Sequence, residues 1–243
     1  MEQNYQARVA SLSTASMLSG IGVTMLYGLS ALALLLTLNK PYEDYTTLWV
    51  LAAIGLIPWL VGLYMTSSAL KGNNDTVAAS FKGLFNAQLG TVIAAVAYYL
   101  LQKIAYEIIV RPFDYSSVKT FGYFSTALLL VFIVCLLVFV VKNNNNSRAL
   151  KAAGLKSMGS VSAAFTIQLV FQSIITLLIF ISLFAAEAVV KLFYSLGSGG
   201  LKTVGYLLII AFIVAAVLMI FGWWTVRTEL PKVLEEDNAG TDL

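Results

Sequence analysis

Histidine is absent from this 243-residue chain, cysteine occurs once, proline four times, and charged residues make up only 11% of it. Without histidine, and with Cys135 alone inside an apolar run, the usual donors for zinc, copper and haem are missing. Ser-His and Cys-His nucleophilic devices fail for the same reason. A single cysteine forms no intrachain disulfide, and Cys135 reads as packing. The net charge of +3 is spread over many connections, whereas a nucleic-acid surface needs lysine and arginine clustered on one face. Neither a cofactor nor a nucleic-acid partner is expected.

What the chain does have is apolar length. Hydrophobic residues make up 59% of it and the mean hydropathy is +0.85, far from a soluble domain with roughly 25% charged residues. Apolar stretches near 16–38, 47–68, 84–106, 119–141, 162–185 and 203–226 each approach or exceed the roughly 20 residues that cross a hydrocarbon core as helix. The runs are continuous and lack the alternation of a membrane β-strand. The fold class is therefore all-α: a polytopic membrane protein of six transmembrane helices in three hairpins. A polar N-terminal segment (1–15) precedes hairpins at 16–68, 69–146 and 147–230, and an acidic tail (231–243) follows. The first apolar stretch is longer than the apolar part of a signal peptide, so it is expected to stay in the mature protein.

Six crossings put both termini on one face. Connections on that face hold nine basic residues, including Arg8, Lys71, Lys82, Lys142 and Arg227, against six on the other. The positive-inside bias places the termini in the cytoplasm, with the plasma membrane as the expected location. Trp223, Trp224 and Arg227 read as an interface belt at that end of the last span.

A parallel repeat of about 80 residues runs through the chain. Ser67, Ala69, Leu70 and Lys71 return as Ser147, Ala149, Leu150 and Lys151; Phe85, Gln88 and Leu89 as Phe165, Gln168 and Leu169; Glu107 as Glu187. Two spans separate a motif from its copy, so the copies point the same way across the bilayer. The first hairpin is divergent and lacks the Phe-x-x-Gln-Leu element. Gln88 and Glu107 are 19 residues apart, about 28 Å along a helix, which sets the amide near one interface and the carboxylate near the other. Gln168 and Glu187 repeat the spacing. An ionised carboxylate is costly at the midplane, so Lys103, Glu107 and Arg111, and Glu187 with Lys191, are expected as interfacial ion pairs at i,i+4 spacing.

Gln88, Gln168, Gln172 and Ser173 are the candidate polar residues of the interior, as fasteners between helices or as the lining of a cavity. Small residues at Gly20, Gly22, Thr24, Gly28 and Ser30 predict close helix packing, and Pro58 predicts a bend in the second span. The repeated connectors around Lys71 and Lys151 suit short helices lying on anionic headgroups. Asn143 to Asn146 suits a turn, and Gly197 to Gly200 a break after the fifth helix.

No catalytic signature is present, and the chain is expected not to be an enzyme. The first expectation is a structural or accessory membrane component that binds the lipid bilayer, another membrane protein or itself as a homo-oligomer. The alternative is a small channel or transporter for an uncharged or weakly polar solute. A solute path requires the glutamines to share one cavity, and a scaffold requires each to meet a neighbouring helix.

Overall fold

The computed structural model describes the backbone of residues 2–40, 43–110 and 115–239, with side chains at most of these positions. Every regular element among them is helical. Helix α1 (Glu2–Val23), a π-helical turn (Thr24–Gly28) and α2 (Leu29–Asn39) run on as one rod, and α3 (Thr46–Ile54) and α4 (Leu56–Leu70) make a second. Helix α5 (Asp75–Ala105) passes into a π-helical turn at Tyr106–Val110; α6 (Tyr115–Ala152), α7 (Met158–Phe184) and α8 (Ala186–Ala239) follow. Six stretches are long and apolar enough to cross a membrane: Gln6–Thr37, Thr46–Leu70, Asp75–Ile109, Thr120–Ala152, Met158–Ile181 and Thr203–Val233. These six fit a multi-pass integral membrane protein.

Local chemistry sets the helix ends. The Asn74 side chain accepts the Val77 N–H at 3.1 Å and caps α5, satisfying one of the free donors of its first turn. Gly55 separates α3 from α4 three residues before Pro58, whose ring crowds the Ile54 carbonyl and offers it no N–H. Gly197 has φ 60° and ψ 179°, a backbone conformation open essentially to glycine alone, and it interrupts α8 where the glycine run predicts a break. Glu229 on α8 accepts the Ser157 N–H at 3.0 Å and the Ser157 hydroxyl at 2.6 Å. This carboxylate at the N-terminus of α7 complements the helix dipole and ties α7 to α8.

The helices form a closed ring. α1 packs on α4, α4 on α5, α5 on α6, α6 on α7, α7 on α8, and α8 returns to α1. The α1–α4 seam is glycine-mediated. A Cβ on Gly55 would stand 2.7 Å from the Gly22 carbonyl oxygen, and one on Gly62 would stand 2.5 Å from that of Ala15, so these backbones approach as only small residues allow.

The core fills only part of this ring. In the half that carries the termini, Leu12, Leu63, Leu70, Phe81, Met158 and Trp223 are buried. Trp59 and Trp223 meet edge-on with ring centroids 6.1 Å apart, and Phe81 lies 6.4 Å from Trp223. These aromatics, from α4, α5 and α8, occupy the lumen. In the other half the packing loosens, and among the described side chains of 89–132 Ala105 alone is buried.

Several expectations are corrected. Asn143 to Asn146 lies inside α6, with Asn143 and Asn144 buried, and makes no turn. Ala69–Leu70 and Ala149–Lys151 are the last turns of α4 and α6. Their leucines are fully buried, and that burial carries the transmembrane helices past the point where surface-lying helices were expected. Trp223 belongs to the core and not to an interface belt; Trp224 beside it is exposed. The fifth helix ends at Phe184, with Ala185 at φ −142° and ψ 54°, so Glu187 opens α8. The Gln168–Glu187 spacing is therefore not measured along one rod, whereas Gln88 and Glu107 share an unbroken helical stretch.

Gly62→Ala is expected to destabilise the protein by about 1–3 kcal/mol through overpacking. Gly122→Ala, whose Cβ would meet nothing within 4 Å, is expected to be neutral or to stabilise by roughly 0.5–1 kcal/mol. Thermal unfolding in one detergent compares them, and equal stability would contradict the close seam.

Candidate functional site

Beyond the aromatic fill, the helices of the ring line a half-open cavity of about 650 Å³, within the roughly 300–1,000 Å³ range of small-molecule sites. All six rods contribute to it. Leu34 and Leu56 come from the first two, Thr91 and Leu136 from α5 and α6, and Ile175 and Leu208 from α7 and α8. Along α7 the lining runs from Phe165 to Ile175 and along α8 from Gly205 to Ala215. Each stretch is about 15 Å of helix, half of a hydrocarbon core of about 30 Å. Among the described residues the lining contains no charged side chain.

The polar groups gather where the cavity meets the filled half. Gln88 on α5, Asn143 on α6 and Gln168 and Gln172 on α7 all line it. Gln88 is buried at 6% exposure and Asn143 at 2%. Gln168 Nε2 donates to the Tyr27 hydroxyl at 3.0 Å, and the Tyr27 ring packs against Trp59 and Phe212. Two amide oxygens, Asn143 Oδ1 and Gln172 Oε1, are buried with no hydrogen-bond partner among the described residues. An acceptor left in this state costs about 1–3 kcal/mol.

The neighbouring amide behaves differently. Asn144 Oδ1 accepts from the Ser162 hydroxyl at 2.6 Å and Asn144 Nδ2 donates to Thr166 Oγ1 at 3.3 Å. These bonds join α6 to α7. One turn of asparagines therefore splits between a satisfied structural side chain and an unsatisfied one on the cavity.

Of the residues singled out from sequence, Gln88, Gln168 and Gln172 are brought together. Ser173 is exposed and stays outside the lining. Lys103, Glu107, Glu187 and Lys191 are exposed at the far end of the ring or beyond it, and Arg111 lies outside the described residues. The ion pair closed within 4 Å among the described residues is Lys40–Glu43, at 2.9 Å. Sequence reading missed Tyr27, Thr91 and Asn143. Asn143 carried a usable signal: Leu136, Val140, Asn143, Ser147 and Leu150 recur at spacings of four and three, a helical face that runs straight through the asparagines.

Comparison with protein families, with curated proteins and with solved structures finds no match for this chain.

Gln172→Leu removes no side-chain bond and is expected to leave stability within about 0.5 kcal/mol of the wild type or to raise it. Asn144→Leu breaks two bonds and is expected to cost about 1–3 kcal/mol. Unfolding midpoints of the two variants test this; a Gln172→Leu protein as damaged as Asn144→Leu would make Gln172 a fastener.

Proposed function

We propose that the protein is a non-enzymatic carrier or channel-like membrane protein that takes a small uncharged solute bearing a hydrogen-bond donor into its lumen. The single observation that carries this reading is the shared cavity. Gln88, Gln168 and Gln172, with Asn143, line one largely apolar space. Absence of charge from the described lining residues favours neutral solutes, because an ion would lose its hydration with nothing to replace it. The aromatic fill of Trp59, Phe81 and Trp223 closes the other half of the lumen, which supports alternating access over a continuous pore. A structural or accessory component would ask each amide to meet a neighbouring helix; Gln168 does so through Tyr27, whereas Gln172 Oε1 does not.

The finer architecture is part of the same proposal. Three hairpins with a parallel repeat put Gln88 and Gln168 at equivalent positions, and both reach the cavity. With the termini in the cytoplasm of the plasma membrane, the cavity half faces outward.

Uptake of labelled glycerol and urea into sealed proteoliposomes tests the reading. Uptake is expected to exceed that of protein-free vesicles. In a Gln168→Leu, Gln172→Leu variant it should fall by about tenfold, the effect of losing hydrogen bonds worth roughly 1–1.5 kcal/mol. Equal uptake by the two proteins would remove these amides from the path.

A further inference from the structure

A second cavity, of about 360 Å³, lies between the end of α4 and the start of α5 on the face that carries the termini. Its chemistry is graded. Lys71 and Lys82 stand on its two walls, with Ser68 and Asn86 between them, and Tyr64 and Phe85 close its membrane-ward side. The Tyr64 and Phe85 ring centroids are 5.7 Å apart, and Tyr64 is 60% exposed. Tyr64 precedes Lys71 by seven residues, about 10 Å of helix, so the groove runs from the headgroup level into the hydrocarbon.

The charge in it is unspent. Lys71 and Lys82 are exposed, and neither lies within 4 Å of a carboxylate among the described residues. Asp75, the acidic residue of the lining, turns to the connecting turn, where its Oδ1 accepts the Gly72 N–H at 2.9 Å. Two ammonium groups against one engaged carboxylate leave a net positive groove.

The repeat supplies a contrast. Eighty residues on, Tyr64, Lys82 and Asn86 are replaced by Asn144, Ser162 and Thr166. Those three side chains bond to one another across α6 and α7. One copy of the position is closed by a hydrogen-bonded network, and the other is left open and lined with cations.

We propose that this groove binds the phosphate group of an anionic phospholipid, held between Lys71 and Lys82, with an acyl chain descending past Tyr64 and Phe85. The aromatic, membrane-ward end distinguishes a lipid from a free phosphate, which has no use for it. The site is independent of the solute cavity, which opens inside the ring.

Native mass spectrometry after reconstitution in an equimolar mixture of phosphatidylglycerol and phosphatidylcholine tests the assignment. The wild type is expected to retain one phosphatidylglycerol in preference to phosphatidylcholine. Lys71→Gln with Lys82→Gln should reduce the retained phosphatidylglycerol by at least about tenfold. Lys142→Gln, an exposed lysine outside the groove, should retain it as the wild type does. Unchanged retention by the double variant, or equal loss in Lys142→Gln, would overturn the proposal. Excess inorganic phosphate is expected to leave the lipid in place; displacement would assign the groove to a free anion.

Discussion

Six helices arranged in a closed ring leave a lumen that their backbones cannot fill, and large aromatic side chains fill half of it. Trp59, Phe81 and Trp223 reach across from three different rods and meet near the ring axis. In a bilayer the lipid tails are as apolar as the core, so such contacts stabilise through packing more than through escape from water. That makes their fit decisive. Where they stand, the ring is solid, and where they stop, it is hollow.

The amides mark this boundary. Gln88, Asn143, Gln168 and Gln172 sit where the packed half gives way to the cavity, which is where a polar side chain can be held by neighbours and still face open space. Gln168 is positioned by Tyr27, and Tyr27 by Trp59 and Phe212, so the aromatic fill also orients the polar wall. The glycine seam between α1 and α4 holds Tyr27 and Trp59 on adjacent, closely apposed helices. Sequence, seam, aromatic fill and amide wall thus form one chain of dependence.

Much of this was legible beforehand, for identifiable reasons. Continuous apolar runs fix the number and place of membrane-length helices, because every spanning residue is constrained. Gln88, Gln168 and Gln172 stood out because an amide inside such a run needs a reason to be there. Asn143 and Asn144 were misread because four successive asparagines locally resemble a turn, while the burial that keeps them helical comes from α7. Trp223 was misplaced for a related reason: Trp223 and Trp224 side by side look like a belt, yet successive residues on a helix point about 100° apart, and only tertiary packing decides which one turns inward. The break at Ala185 had no glycine or proline to announce it, and the apolar run that ends there gave no sign that Glu187 belongs to the next helix.

The central claim is that the ring is solid in one half and hollow in the other. A nitroxide placed in turn at Val161, Ala164, Gln168, Gln172 and Ile175, on the lumen side of α7, measures this directly through its relaxation by a small neutral nickel chelate. Val161 and Ala164 are fully buried and the last three line the cavity. The account predicts little relaxation at the first two sites and a clear rise at Gln168 that continues to Ile175. Uniform exclusion along the five positions would contradict it.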